Sequence, residues 1–139
     1  MKNSTVAYLL LVVMAFATQP ATAGRDEPIK NPTDLPISWT GNGKPTIERI
    51  QRAIIAGCAQ RGWMCQATKP GEIRAVLHLR KHMAEALISF NTESFSVTYV
   101  NSTELRYDAA ENTIHRKYNQ WVANLIMDIN GAVAIAAIQ

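Results

Sequence analysis

The stretch that decides the fold is residues 45–80, PTIERIQRAIIAGCAQRGWMCQATKPGEIRAVLHLR, in which the spacing of apolar side chains changes at Gly62. Before Gly62 the apolar residues recur every three or four positions, at Ile47, Ile50, Ile54 and Cys58. This spacing predicts an amphipathic helix that begins at Pro45 and ends at Gly62. After Gly62 apolar and polar residues alternate, which predicts two antiparallel strands joined by a turn at Lys69–Gly71.

Two further strands are expected after this pair. In the last one, Phe95, Val97 and Tyr99 face inward while the serine and threonine between them face outward. In the third, the inward positions are Ala84, Ala86, Ile88 and Phe90. Residues 83–90 also fit a helical stripe rich in strong helix formers, so the pattern alone leaves strand and helix open here.

A second amphipathic helix is predicted from Asn112–Thr113, an N-cap pair, to about Asp128. Its apolar arc contains Ile114, Tyr118, Trp121, Val122, Leu125, Ile126 and Ile129. Gly131 then interrupts the pattern, and residues 132–138 (AVAIAAI) form an uncharged tail. Because such a tail would aggregate if exposed, we expect it to pack as a short edge strand or as a continuation of the helix.

Length and composition set the class of fold. With 139 residues, 47% of them hydrophobic, the chain can build one core, which excludes a multidomain enzyme. The order of elements predicts a two-layer α+β fold, an antiparallel four-strand meander with an N-terminal and a C-terminal helix on one face. The formal charge of +3 is too mild to indicate nucleic-acid binding without a localised basic patch.

Residues 1–23 have the pattern of a signal peptide. A single Lys2 precedes an apolar run from Val6 to Ala17, and Ala21-Thr22-Ala23 is a small-x-small cleavage pattern. A run of about a dozen residues is shorter than the roughly 20 that a bilayer span needs. We therefore expect cleavage after Ala23 and a periplasmic or secreted product of 116 residues, with membrane association only where the signal stays uncleaved.

The exported part divides into two regions. Residues 24–44 contain three prolines and three glycines without a sustained apolar period, and are expected to form an extended arm. Residues 45–139 are expected to form a single α+β domain. Both cysteines, Cys58 and Cys65, lie in this domain, where an oxidising compartment would join them. Their six-residue separation is unlike the two-residue separation of thioredoxin-like pairs, which favours a structural disulfide over a redox-active one.

Two constellations are candidates for chemistry. His78, His82 and His115 supply enough imidazoles for a catalytic zinc, but strand alternation puts His78 on the outer face, His82 at a bend and His115 at a helix margin. Tyr118 and Asn119 follow His115 by one helical turn, so the three residues are a candidate acid–base cluster. No nucleophile accompanies them, and the pattern favours a structural role in which His115 and Asn119 bond to residues 107–112. We expect no metal and no cofactor.

The outer face of the sheet is the candidate binding surface. Alternation places a mixture of apolar and basic side chains there, Met64, Arg74, Val76, His78, Leu87 and Val100. Antiparallel sheets often leave one face to water, so a merely solvated face is the alternative.

Several segments resemble a family of small uncharacterised Gram-negative envelope proteins, many of them lipoprotein-like. The most specific is an IHxxYNxWV pattern carried by Ile114, His115, Tyr118, Asn119, Trp121 and Val122. The resemblance covers residues 47–129, favours a strand for residues 83–90 and carries no biochemical activity. At the export signal the chain departs from the family, because Gly24 stands where a lipoprotein has its lipidated cysteine.

The sequence therefore predicts a small exported protein of the periplasm or cell envelope. A non-catalytic binding or accessory module is the leading interpretation, with an unidentified envelope protein or polymer as partner. The alternative is a small hydrolase or metal-dependent enzyme centred on His115.

Overall fold

A computed structural model describes residues 24–139, so the predicted signal peptide lies outside the described residues. In chain order the elements are β1 (Asp26–Pro28), β2 (Leu35–Pro36), α1 (Ile47–Ala59), β3 (Met64–Lys69), β4 (Glu72–Leu79), β5 (His82–Phe90), β6 (Ser94–Thr103), β7 (Thr113–His115) and α2 (Arg116–Ile138). Strands β2 to β6 form an antiparallel sheet in the order β2-β6-β5-β4-β3, and β1 pairs with β7 in a separate two-stranded sheet.

The predicted α+β fold is confirmed. Strands β3 to β6 are the expected meander, and the two-residue strand β2 adds a fifth member beside β6. The core lies between one face of this sheet and the two helices, and it includes Ile54 of α1, Ile88 of β5 and Leu125 of α2. Strand β5 and the first half of β6 bury alternate residues there, as the period of two requires, whereas the edge strand β3 turns only the half-buried Cys65 toward the core.

Both ends of α1 follow local rules. The N-cap is Thr46, whose hydroxyl accepts a hydrogen bond from the backbone N–H of Arg49, so the helix begins after Pro45 rather than at it. At the C-terminal end Gly62 has a φ of +81°, the left-handed conformation that glycine adopts without strain. The N–H of Trp63 donates to the carbonyl of Cys58 across this turn, which completes a Schellman motif.

The predicted disulfide is also confirmed. Cys58 on the last turn of α1 is bonded to Cys65 on β3, and their Cα atoms are 6.1 Å apart. Closing a ring this small restricts the unfolded chain by about 2.5 kcal/mol on the loop-entropy model. The disulfide therefore fixes the path of the chain from the end of α1 into β3.

Residues 83–90 form a strand rather than a helix. They belong to β5, which pairs with β4 on one side and with β6 on the other. Pairing along two edges satisfies the backbone of β5 and outweighs the helix preference of its Met-Ala-Glu-Ala-Leu sequence. The hairpin before it turns at Arg80 and Lys81, with Arg80 at a φ of 56°.

The start and end predicted for the second helix are wrong. It begins at Arg116 because Thr113–His115 pair with β1, an interaction with a segment nearly ninety residues away that no local pattern signals. It continues past Gly131 to Ile138, so the uncharged tail is a helical continuation. Val133 and Ala137 are buried, and Arg49 donates to the carbonyl of Ala136.

Within the arm, residues 31–37 run along the edge of the sheet beside β6. Besides supplying β1 and β2, this arm accepts a hydrogen bond from the N–H of Val97 at the carbonyl of Pro32, and one from the N–H of Tyr99 at the Asn31 side chain. Near its end, the guanidinium of Arg49 lies 4.5 Å from the ring centre of Trp39. The arm thus covers a strand edge that would otherwise present unpaired backbone groups.

The two helices touch most closely at Gly57. A Cβ atom at this position would lie 2.7 Å from the Cα of Ile129 and 2.9 Å from the carbonyl oxygen of Asp128. Both are backbone atoms, so the helices would have to separate to admit a methyl group. Gly131 on α2 differs, because a Cβ there would have no neighbour within 4 Å among the described residues.

These two helical glycines form a matched pair for a stability test. Gly57→Ala is expected to lower the free energy of unfolding by about 1–3 kcal/mol through overpacking. Gly131→Ala is expected to raise it by about 0.5–1 kcal/mol, because alanine costs less backbone entropy in a helix and has room here. Urea unfolding of both variants measures the difference, and a stabilised Gly57→Ala would contradict the close helix contact.

Candidate functional site

The three residues proposed as an acid–base cluster lie where β7 passes into α2. His115 is the last residue of β7 and the N-cap of α2, while Tyr118 and Asn119 are in the first turn of the helix. All three side chains lie at the N-terminal end of α2, and each contacts a different part of the molecule.

His115 caps the helix through its ring. The backbone N–H of Lys117 donates to Nδ1 at 3.1 Å, which leaves the proton of the neutral ring on Nε2. Partial burial, reinforced by the nearby positive charge of Lys117, holds the pKa of His115 below its ordinary value. A neutral imidazole whose Nδ1 is occupied suits a cap, because protonating Nδ1 would break the bond to Lys117.

Tyr118 is a core residue. Its side chain is fully buried, and its ring meets that of Tyr99 edge to face with the ring centres 5.4 Å apart. Burial raises the pKa of the Tyr118 hydroxyl well above its usual range, so the group stays protonated. Tyr107 lies on the other side of Tyr99, with ring centres 4.4 Å apart. The hydroxyl of Tyr118 therefore belongs to an aromatic cluster and faces no cleft.

Asn119 is the one buried polar residue among those described, at 7% exposure, and it binds the arm. Its Oδ1 accepts from the N–H of Lys30 at 3.0 Å, and its Nδ2 donates to the carbonyl of Pro28 at 3.0 Å and to the carboxylate of Glu27 at 3.2 Å. The expected partner segment, residues 107–112, is thus wrong for Asn119, and also for His115, whose ring accepts from Lys117. Instead, the asparagine holds residues 27–30 against the helix.

The rest of the IHxxYNxWV pattern also has packing roles. Ile114 and Val122 are buried in the core. Trp121 is half-buried, and its ring centre is 6.1 Å from that of His82 on β5. The residues of this pattern therefore make the contacts that hold the arm, the sheet and α2 together.

The three histidines are not brought together. His78 is exposed on β4, His82 forms a hydrogen bond through Nδ1 with the carbonyl of Glu104, and His115 caps α2. Residues 24–139 contain no group of three potential metal ligands.

The six residues of the candidate binding surface lie on the outer face of the sheet, but they differ in accessibility. Met64 and Val100 are 58% and 48% exposed, whereas Val76, which is paired with Met64 across the strands, is only 8% exposed. Leu87 is half-buried, His78 is exposed, and Arg74 is bound in an ion pair to Glu85. This pair holds the pKa of Glu85 below its usual range and neutralises the basic charge expected at the centre of the face.

A second surface lies on the helical layer and was missed from the sequence. It is a groove of about 850 Å³ between α1 and α2, lined among others by Ala53, Ala56, Met127, Gly131, Ala132 and Ile135. We call it the helix-pair groove. The signal for it is the uncharged end of α2, residues 132–138, which the sequence predicts to pack as a short edge strand or as a continuation of the helix. A smaller hollow of about 530 Å³ lies between the arm and α2, beside Asn119.

Helix α2 contains a long apolar stretch. Its mean hydropathy reaches 1.6 over an 18-residue window, of which only 28% is buried, and by length and composition alone it could cross a membrane. A core helix of a soluble domain is usually mostly buried. Much of the apolar surface of α2 therefore lies outside the core.

Comparisons with protein-family models, with curated proteins and with solved structures find no match to this chain.

The structural role of Asn119 can be tested by removing its amide. Asn119→Ala leaves the N–H of Lys30 and the carbonyl of Pro28 without their partner, and is expected to lower the free energy of unfolding by about 2 kcal/mol. The matched control is Asn130→Ala, an exposed asparagine of the same helix, with an expected change within about 0.5 kcal/mol. Equal stability of the two variants in chemical denaturation would show that the bonds to the arm contribute nothing.

Proposed function

We propose that the protein is a non-catalytic binding module of the Gram-negative envelope, exported after cleavage at Ala23, which contacts a protein partner through the outer face of its sheet. The observation that carries the proposal is the exposure of Met64 and Val100 on a face that neither helix covers. Around them, the ion pair of Arg74 and Glu85 and the imidazole of His78 supply polar contacts. Such a mixture of apolar anchors and polar surroundings is typical of interfaces between separately folded proteins.

The structural roles of the acid–base candidates support a binding function over a catalytic one. His115 caps a helix and Asn119 holds the arm, while the hydroxyl of Tyr118, which has no hydrogen-bond partner among the described residues, is buried in the core. A general acid or base has to reach a substrate atom within hydrogen-bonding distance. His115 and Tyr118 line neither of the two hollows described above, and the amide of Asn119, which borders the smaller one, is already bonded to the arm.

The proposal predicts a contact at a defined place. A photo-crosslinking amino acid at His78, in cells that export the protein, is expected to capture one discrete partner several-fold more efficiently than the same group at Glu111, an exposed loop residue. Met64→Asp combined with Val100→Asp should abolish this capture, because two charges would be buried in an apolar contact.

Asn130→Asp serves as the control for the added charge, since it alters an exposed residue of the helical layer. Circular dichroism verifies that all variants fold. Equal capture at positions 78 and 111, or capture that survives the double substitution, would refute the proposed contact. Mass spectrometry of the exported protein should give Gly24 as its first residue.

A further inference from the structure

The helix-pair groove has the shape of a site for a third helix. Its floor consists of small residues, Ala53 and Ala56 on α1 and Gly131 and Ala132 on α2. Small side chains let the backbone of an added helix approach closely and let its ridge of side chains enter the groove. The space above Gly131 is open, because a Cβ there would meet no atom within 4 Å among the described residues.

An exposed apolar stripe runs along the α2 side of this groove. Met127, Ile135 and Ile138 are 58%, 58% and 70% exposed, and they follow the spacing of one helical face. From Ile129 to the last residue, Gln139, α2 has no charged side chain. A solvated helix face normally carries charges, and a contiguous apolar patch indicates a partner.

The α1 side of the groove is positively charged. Arg49 and Arg52 line it, and no carboxylate among residues 24–139 forms a salt bridge with either. Glu48, one turn before Arg52 on α1, does not line the groove, although a hydrogen bond from its own backbone and, to a lesser extent, the charge of Arg52 lower the pKa of its carboxyl group. Arg49 donates to the carbonyls of Asn42 and Ala136, which fixes its position without neutralising its charge. The one carboxylate side chain among the lining residues, that of Asp128, is already paired with Arg61 at 2.8 Å.

We propose that the helix-pair groove binds an amphipathic helix whose apolar stripe is flanked by acidic residues, a helix-in-groove contact. The apolar stripe would pack between Met127 and Ile135, and the carboxylates would face Arg49 and Arg52. Charge complementarity of this kind selects the partner and its orientation more than it adds affinity. The site lies on the layer opposite the sheet face, so it is independent of the function proposed above.

Two other occupants fit less well. A second copy of the chain would bring its own α2 stripe together with its own two arginines, which places like charges at the contact. A lipid surface is flat and leaves a concave groove unfilled. The stripe also lacks the Trp, Phe and Leu side chains that interfacial helices insert.

The test uses two synthetic helical peptides of about 18 residues, or five turns. Both carry the same Leu/Ala stripe, and one has glutamate and the other lysine at the flanking positions. Fluorescence anisotropy with the wild-type protein is expected to show binding of the glutamate peptide and at least about tenfold weaker binding of the lysine peptide. The affinity for the glutamate peptide should fall as salt is added.

Three variants locate the contact. Ile135→Asp is expected to abolish binding of the glutamate peptide, and Arg52→Glu to reverse the preference between the peptides. Both residues line the groove without lying in the core, and circular dichroism verifies folding. The matched control is Arg80→Glu, an exposed arginine in the turn between β4 and β5, which should bind like the wild type.

Each contrary result overturns the proposal. These results are no binding of the glutamate peptide, equal binding of both peptides, or unchanged binding by Ile135→Asp. A dimer in sedimentation equilibrium that Ile135→Asp dissociates would assign the groove to a second copy. Binding to vesicles of phosphatidylcholine and phosphatidylglycerol that displaces the peptide would assign it to a membrane.

Discussion

The side-chain amide of Asn119 is the interaction on which the assembly of the chain depends. It is buried, so both its acceptor and its donors need partners, and Glu27, Pro28 and Lys30 of the arm supply them. Holding these residues against α2 places β1 beside β7 and directs the arm along β6. The edge of the sheet is covered as a result, and the covered edge is no longer a template for pairing with other chains.

The features that could be predicted from the sequence arise from contacts within short stretches. The stripe of α1, its end at Gly62 and the alternation in β6 depend on neighbours a few residues away, and each is confirmed. The disulfide follows from the same patterns, because the stripe and the alternation both turn their cysteines inward.

The features that were missed depend on contacts between distant parts of the chain. The start of α2 is set by pairing of Thr113–His115 with β1, and the partners of Asn119 lie about ninety residues before it. The periodicity of apolar residues in the sequence does not indicate such contacts. Helix α2 continues through Gly131, which lies on its exposed side. A glycine inside a helix costs only about 1 kcal/mol, so it weakens the helix without ending it. Similarly, spacing correctly placed His115, Tyr118 and Asn119 on one turn but could not show that each already had a structural partner.

The two layers of the protein present surfaces of different chemistry. On the sheet, Arg74 is neutralised by its ion pair with Glu85, and the exposed apolar side chains are Met64 and Val100. On the helices, an uncharged stripe lies beside two arginines without carboxylate partners in the described chain. The two contacts proposed above would therefore place two different partners on opposite sides of the protein.

The central claim is that Asn119 has a structural role and holds the arm. Amide hydrogen exchange tests it most directly, because the N–H of Lys30 bonds to Asn119 itself while the N–H of Val97 bonds to the arm at Pro32. In Asn119→Ala we predict fast exchange at Lys30 and Val97, with full protection kept at Ile88 in the centre of β5. Protection of Lys30 and Val97 equal to the wild type would contradict the account.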